Sequence, residues 1–64
     1  MKIHVEKYRL ERGLSLNELY RLSGVAASHI GYIESGRSIP TLTTLCKLSK
    51  ALDVPAYKLF SCDE

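Results

Sequence analysis

Glu34-Ser35-Gly36-Arg37-Ser38-Ile39-Pro40, reached through the run Gly24-Val25-Ala26-Ala27-Ser28-His29-Ile30-Gly31-Tyr32-Ile33, decides the fold of this chain. Gly24 closes a short amphipathic segment carrying Leu16, Leu19 and Leu22, while Ile30 and Ile33 open the apolar stripe of the next. Only two or three residues separate the segments, so two helices must cross steeply there and the second stands out as a rigid rod. The Glu-x-Gly-Arg-x-x-Pro sequence then ends the rod and turns the chain back. That is the layout of a helix-turn-helix, whose second helix is shaped to lie in the major groove of DNA.

Outward from this pair, the pattern predicts an all-α fold of five helices with no strand. Helix 1 is expected over about Ile3 to Arg12, with Val5 and Tyr8 inward, and stops at Gly13. Ser15-Leu16-Asn17-Glu18 reads as a capping box, in which the serine hydroxyl takes an orphan amide and the glutamate reaches back. It opens helix 2, about Leu16 to Ser23; helix 3 follows from about Ala27 to Ser35. Thr41, after Pro40, is the expected N-cap of helix 4, where Leu42, Leu45, Leu48 and Leu52 recur at helical spacing. Pro55 suits the first turn of helix 5, with Ala56, Leu59 and Phe60 as its apolar stripe.

Sixty-four residues make one domain, residues 1–64, with a core over about 3–60 and a tail at 61–64. That is near the lower limit at which a single core folds without staples. No stretch approaches the roughly 18 consecutive apolar residues of a membrane span, and no basic-then-apolar leader is visible. The expectation is a cytoplasmic protein away from membranes. Cys46 and Cys62 lack metal-ligand spacing, so neither a disulfide nor a zinc site is expected. Cys46, inside the leucine-rich pattern, reads as a small core or boundary residue. Net charge is only +2, but Lys2, Lys7, Arg9 and Arg12 crowd the first segment, with Arg21 and Arg37 further on. This is a modest electrostatic footprint for nucleic acid.

The chain resembles the Cro/CI (Xre-type) helix-turn-helix family over about residues 3 to 60. The matching pieces are Arg12-Gly13-Leu14-Ser15, Glu18-Leu19, Ser23-Gly24-Val25, Ile30, Ile33-Glu34, Gly36-Arg37, Pro40-Thr41-Leu42, Thr44-Leu45, Lys47-Leu48 and Ala51-Leu52. Within the family it is most similar to the DNA-binding half of SinR-like regulators, which share Tyr8-Arg9, Ser15-Leu16, Gly24-Val25-Ala26 and Leu52-Asp53-Val54. The resemblance implies a lambda-repressor-like domain with its helix-turn-helix at helices 2 and 3. It further implies a sequence-specific regulator of transcription, a repressor, bound as a homodimer to a two-fold double-stranded DNA operator, with no cofactor, metal or small-molecule ligand.

Site residues follow from the same resemblance. Ile30 and Ile33 point inward, which leaves Ala27, Ser28, Gly31 and Tyr32 on or near the outer face of helix 3. Positions matching Ala27, Ser28 and Tyr32 touch base edges in relatives; Asn17, His29 and Ser35 match positions touching bases or phosphates. Arg37 and Ser38 resemble positions that grip the backbone beyond the helix, and the amides opening helix 2, beside Asn17, form an anion site. Arg9 and Glu34 each border an apolar stripe and are expected to pair between helices 1 and 3, as in relatives. Tyr57 and Phe60 offer more apolar surface than a tiny core needs and are the expected dimer interface.

Several positions depart from the family pattern. Leu16 stands where many relatives have a DNA-bracing glutamine. Ala26 replaces a common serine, so helix 3 loses its usual cap hydroxyl, a loss of about 1 kcal/mol unless Ser28 or Ser23 compensates. Tyr20 replaces a small residue at the crossing of helices 2 and 3, and so must swing out or be accommodated by Gly31. Catalysis is not expected: His4 and His29 lie on different helices with no carboxylate at triad spacing, and no glycine-rich phosphate loop is present. The competing expectation is a protein-interaction module, such as an antirepressor, antitoxin or coactivator-like domain, using the same fold with weak DNA affinity.

Overall fold

Residues 1–62 of the chain are described by a computed structural model. The elements run β1 (Lys2–Ile3), α1 (Val5–Glu11), α2 (Leu16–Ser23), α3 (Ala27–Glu34), α4 (Leu42–Leu52), a 3-10 turn (Ala56–Leu59) and β2 (Phe60–Ser61). Val5, Leu19, Ile30, Ile33, Leu48, Leu52 and Leu59 are wholly buried and form the core, with Val25 and Leu45 nearly so. Every helix contributes to this one cluster, so no helix is placed independently of the others.

Local chemistry accounts for the helix ends. The Glu18 amide donates to Ser15 Oγ at 3.0 Å and the Ser15 amide donates to Glu18 Oε1 at 2.8 Å, which completes the expected capping box. Gly24 then takes the left-handed conformation (φ 78°), where a side chain is strained, and its amide donates to the Tyr20 carbonyl at 2.8 Å. Thr41 Oγ1 caps α4 by accepting from the Thr44 amide. α3 differs: Ala26 supplies no side-chain bond to its first turn. Ser23 Oγ accepts the Val25 amide at 3.0 Å, which steadies the turn and leaves the start of α3 uncapped by any side chain.

The described residues form four α-helices, not five, and a strand pair. Pro55 is extended (φ −61°, ψ 143°), the 3-10 turn after it lasts four residues, and Phe60 is extended again (φ −150°, ψ 159°). β2 then runs antiparallel to β1 with Lys2 opposite Ser61 and Ile3 opposite Phe60. The His4 amide donates to the Leu59 carbonyl at 2.8 Å, and His4 Nε2 lies 3.0 Å from Ser61 Oγ. This pairing draws Ile3 out of helix 1, which starts at Val5. Ser61 thus belongs to the fold rather than to a tail; of the rest of that expected tail, Cys62 is exposed and residues 63–64 lie outside the described residues.

The apolar stripes are also shifted from those expected. On α4 the inward set is Leu45, Leu48, Ser49 and Leu52. Leu42, on the first turn and past the end of that packed set, is 78% exposed, and Cys46 on the outer side is exposed rather than a core or boundary residue. Leu22, at the last turn of α2, is likewise exposed, leaving Leu19 as the buried anchor of that helix.

Candidate nucleic-acid interface

α3 presents two faces of opposite character. Ile30 and Ile33 are buried, and Glu34 at its C-terminal end meets Arg9 of α1. Arg9 Nε donates to Glu34 Oε2 at 2.8 Å and Nη2 to Oε1 at 3.0 Å, a two-pronged ion pair, while Nη1 donates to the Leu14 carbonyl at 2.8 Å. The hydrogen bond to Glu34 raises the Arg9 pKa above its already high ordinary value, so the guanidinium is charged at every working pH. Arg9 is buried by this contact, and its charge is not part of any surface field.

Ser28, Tyr32 and Ser35 lie on the opposite face at helical spacing, all exposed, with Tyr32 at 51%. Ala27 and Gly31, four apart, flank them and are half-buried; His29 is half-buried on the other flank. The start of α2 lies beside the middle of α3: a Cβ placed on Gly31 would sit 3.8 Å from Leu16 Cδ1. Asn17, the next residue, is exposed there. Leu16 occupies the inter-helix position, and Tyr20 has swung outward to 48% exposure instead of wedging the two helices apart.

The turn beyond α3 is tied to the same helix. The Tyr32 carbonyl accepts from the Arg37 amide (2.9 Å), the Ser38 amide (3.2 Å) and Ser35 Oγ (3.1 Å). Gly36, at φ 83°, permits this reversal. Arg37 is thereby exposed just past the helix end and makes no ion pair among the described residues, whereas Ser38 is half-buried. The expected anion site at the start of α2 is altered by its own cap. The Glu18 carboxylate occupies the Ser15 amide, which holds it below the ordinary glutamate range and places a negative charge where an anion would dock. Tyr57 (69% exposed) and the half-buried Phe60 lie apart from this face, on the 3-10 turn and β2.

The arrangement offers hydroxyl donors and a phenol along the exposed side of α3, and the Arg37 guanidinium in the turn beyond it. Among the described residues no group of three or more metal-ligating side chains comes together. No described helix is long and apolar enough to cross a membrane.

Residues 5–59 of the chain match the helix-turn-helix family. The chain belongs to that family, in its Cro/CI-type branch. SinR of Bacillus subtilis (strain 168), a helix-turn-helix transcriptional regulator, is 39% identical over 56 residues, 86% of this chain and 50% of that protein. SutR of Escherichia coli (strain K12), named likewise, is 39% identical over 51 residues, 80% of this chain and 29% of that protein. The chain thus spans half the length of these curated relatives or less. Its fold is similar to that of the restriction-modification controller protein C.AhdI from Aeromonas hydrophila, with a TM-score of 0.85 and 35% identity over 89% of this chain and 86% of that one. SinR in its complex with SinI gives a TM-score of 0.81 at 38% identity, over 86% of this chain and 54% of that one. SinR and SutR are named as transcriptional regulators, not enzymes, and C.AhdI as a controller protein.

Proposed function

We propose that the protein is a cytoplasmic, sequence-specific double-stranded-DNA-binding regulator of transcription, acting as a repressor by occupying an operator and excluding polymerase. The observation that carries this reading is the outer face of α3: Ser28, Tyr32 and Ser35 are exposed in a row on a helix whose other side is locked by Ile30, Ile33 and the Arg9–Glu34 pair. A rigid, protruding helix with a free polar ridge fits the major groove, and Ala27, Ser28 and Tyr32 then meet base edges. Asn17, His29, Ser35, Arg37 and Ser38 lie at the flanks and ends of that ridge, where the sugar-phosphate backbones run. Of these, Arg37 carries the clearest role, because an exposed guanidinium with no ion-pair partner among the described residues suits a phosphate. The relative RghR of Bacillus subtilis is named a repressor.

One domain of this size buries too little duplex for tight specific binding, so a homodimer on a two-fold operator completes the reading. Tyr57 and Phe60 are its contact surface, with two copies of α3 set about 34 Å apart, one turn of the duplex. Sedimentation of the free and DNA-bound protein tests this; a monomer in both states, protecting a single half-site, sinks it. The DNA reading is tested by enriching random duplexes with the purified protein and titrating the selected one against salt. Arg37→Ala is expected to weaken all sequences alike and lower the salt slope by about 1, while Ser28→Ala relaxes preference at one base position. The reverse pattern overturns the two assignments.

A second reading keeps the fold as a protein-interaction module with weak DNA affinity, of the antirepressor, antitoxin or coactivator kind. The exposed Tyr20 and Tyr32 rings favour it. Retention on heparin with steeply salt-dependent elution decides for DNA.

A further inference from the structure

The outer face of α3 lacks the side chains that read bases by paired hydrogen bonds. Guanine is usually recognised by arginine or lysine and adenine by asparagine or glutamine, each through two bonds. α3, Ala27–Glu34, contains none of these four residue types, and its one carboxylate is held by Arg9. Ser35, just beyond, already donates its hydroxyl hydrogen to the Tyr32 carbonyl. The hydroxyls of Ser28 and Tyr32 remain to point at bases, with the half-buried His29 ring at the flank, and each can accept from or donate to several base edges alike. Base discrimination on this face must therefore come largely from apolar contact, and the one apolar mark in the major groove is the C5-methyl group of thymine.

Gly31 supplies a second, independent observation. It lies in mid-helix, where glycine weakens a helix relative to alanine. Its backbone is not in the left-handed region, and an added Cβ meets only Leu16 Cδ1 at 3.8 Å, an ordinary contact. Neither backbone nor internal packing requires glycine at this position. What its bare Cα leaves is a notch one methyl deep at the edge of the outer face, where α3 meets the start of α2, walled by Leu16 and with Ala27 one turn earlier and Tyr32 next along the helix.

We propose that this protein selects its operator chiefly through thymine methyl groups, one of them seated in the notch at Gly31 against Ala27 and the Tyr32 ring. This rests on the DNA-binding reading above and adds the chemical feature of the duplex that is recognised. Gly31 and Ala27 are specificity-determining because they are small, and Ser28 orients the helix on the neighbouring base.

The test uses the unmodified protein and synthetic duplexes. A preferred site is first selected from random DNA, and each thymine in it is then replaced in turn by deoxyuridine, which removes the methyl and keeps every hydrogen bond. At one or two positions per half-site the affinity falls about fourfold, the effect of losing one buried methyl-sized group; elsewhere it is unchanged. Gly31→Ala fills the notch from the protein side, so it keeps or raises the melting temperature yet abolishes or inverts the preference for thymine over deoxyuridine at one of those positions. A selected duplex indifferent to deoxyuridine at every position overturns the inference and leaves the DNA reading standing. So does a folded Gly31→Ala protein that keeps the full preference. Failure to select any duplex bound in a salt-dependent way overturns the DNA reading itself, and this inference with it.

Discussion

Helices α2 and α3 are the same length and adjacent in sequence, yet they are held in place by opposite means. α2 begins in a complete capping box built from its own residues, Ser15 and Glu18, and ends in a left-handed glycine. α3 has no side-chain cap at its start; it is fixed by Ile30 and Ile33 in the core and by Arg9 reaching from α1 to Glu34 at its far end. The difference teaches that α2 is specified locally and α3 by its neighbours. The helix proposed to meet DNA is the one whose placement depends on the rest of the fold being intact.

The largest test of that contrast is removal of one ion-pair partner. Arg9→Ala leaves the Glu34 carboxylate without its partner and is expected to cost about 3–5 kcal/mol, whereas Glu34→Ala costs less because Arg9 keeps the Leu14 carbonyl and the exposed Glu6 carboxylate 3.8 Å away. The loss is expected to appear first as faster amide exchange in α3, with α2 the later to open; equal loosening of both would break the distinction. A smaller effect sharpens it. Ser15→Ala removes the α2 cap and is expected to lower stability by about 1 kcal/mol, while Ala26→Ser adds a missing cap to α3 and raises it by up to about 1 kcal/mol. Thermal melts check both signs, and an Ala26→Ser protein no more stable than the parent would show that α3 gains nothing from local capping.

The smallest expected effect is a pH dependence confined to α2. Hydrogen bonding by the Ser15 amide, and then by the Ser15 hydroxyl, holds Glu18 below its ordinary range. A carboxylate with a depressed folded pKa stabilises the fold fully above its unfolded value. That contribution is lost as pH falls through the folded value, so the window lies below about pH 5. Glu18→Gln keeps a capping bond and cannot titrate, so its stability profile is expected to be flatter on the acid side. An unchanged acid limb in urea midpoints would remove Glu18 from the account.

This contrast also explains what the sequence makes legible. The bounds of α2 follow from Ser15, Glu18 and Gly24, because capping chemistry acts within four residues. The Arg9–Glu34 pair is legible as well, since each residue borders an apolar stripe. The final helix is not, because Ala56 and Leu59 sit three apart, a spacing that a 3-10 turn satisfies as well as an α-helix does. Strands of two residues carry no periodicity at all, and only the meeting of distant ends makes β1 and β2. Cys46 and Leu42 lie outside the core for a related reason: the inward side of α4 turns toward Ser49, a residue that hydropathy alone assigns to solvent. Its hydroxyl donates to the Cys46 carbonyl at 2.9 Å, which lets it be buried. At the candidate interface the sequence shows which residues share the outer face of α3. The capping box legible at Ser15 and Glu18 also carries its consequence, a carboxylate held at the Ser15 amide beside the amides expected to hold an anion.

The strand pair has a topological consequence. With Lys2 opposite Ser61, and residues 57 apart in sequence joined through His4 and Ser61, the backbone is a nearly closed ring. Neighbouring strands lie about 4.8 Å apart. The whole unit can therefore be spliced into a host loop through two adjacent junctions, or circularly permuted by joining those ends and opening the chain at the exposed turn around Gly13, without stretching any helix.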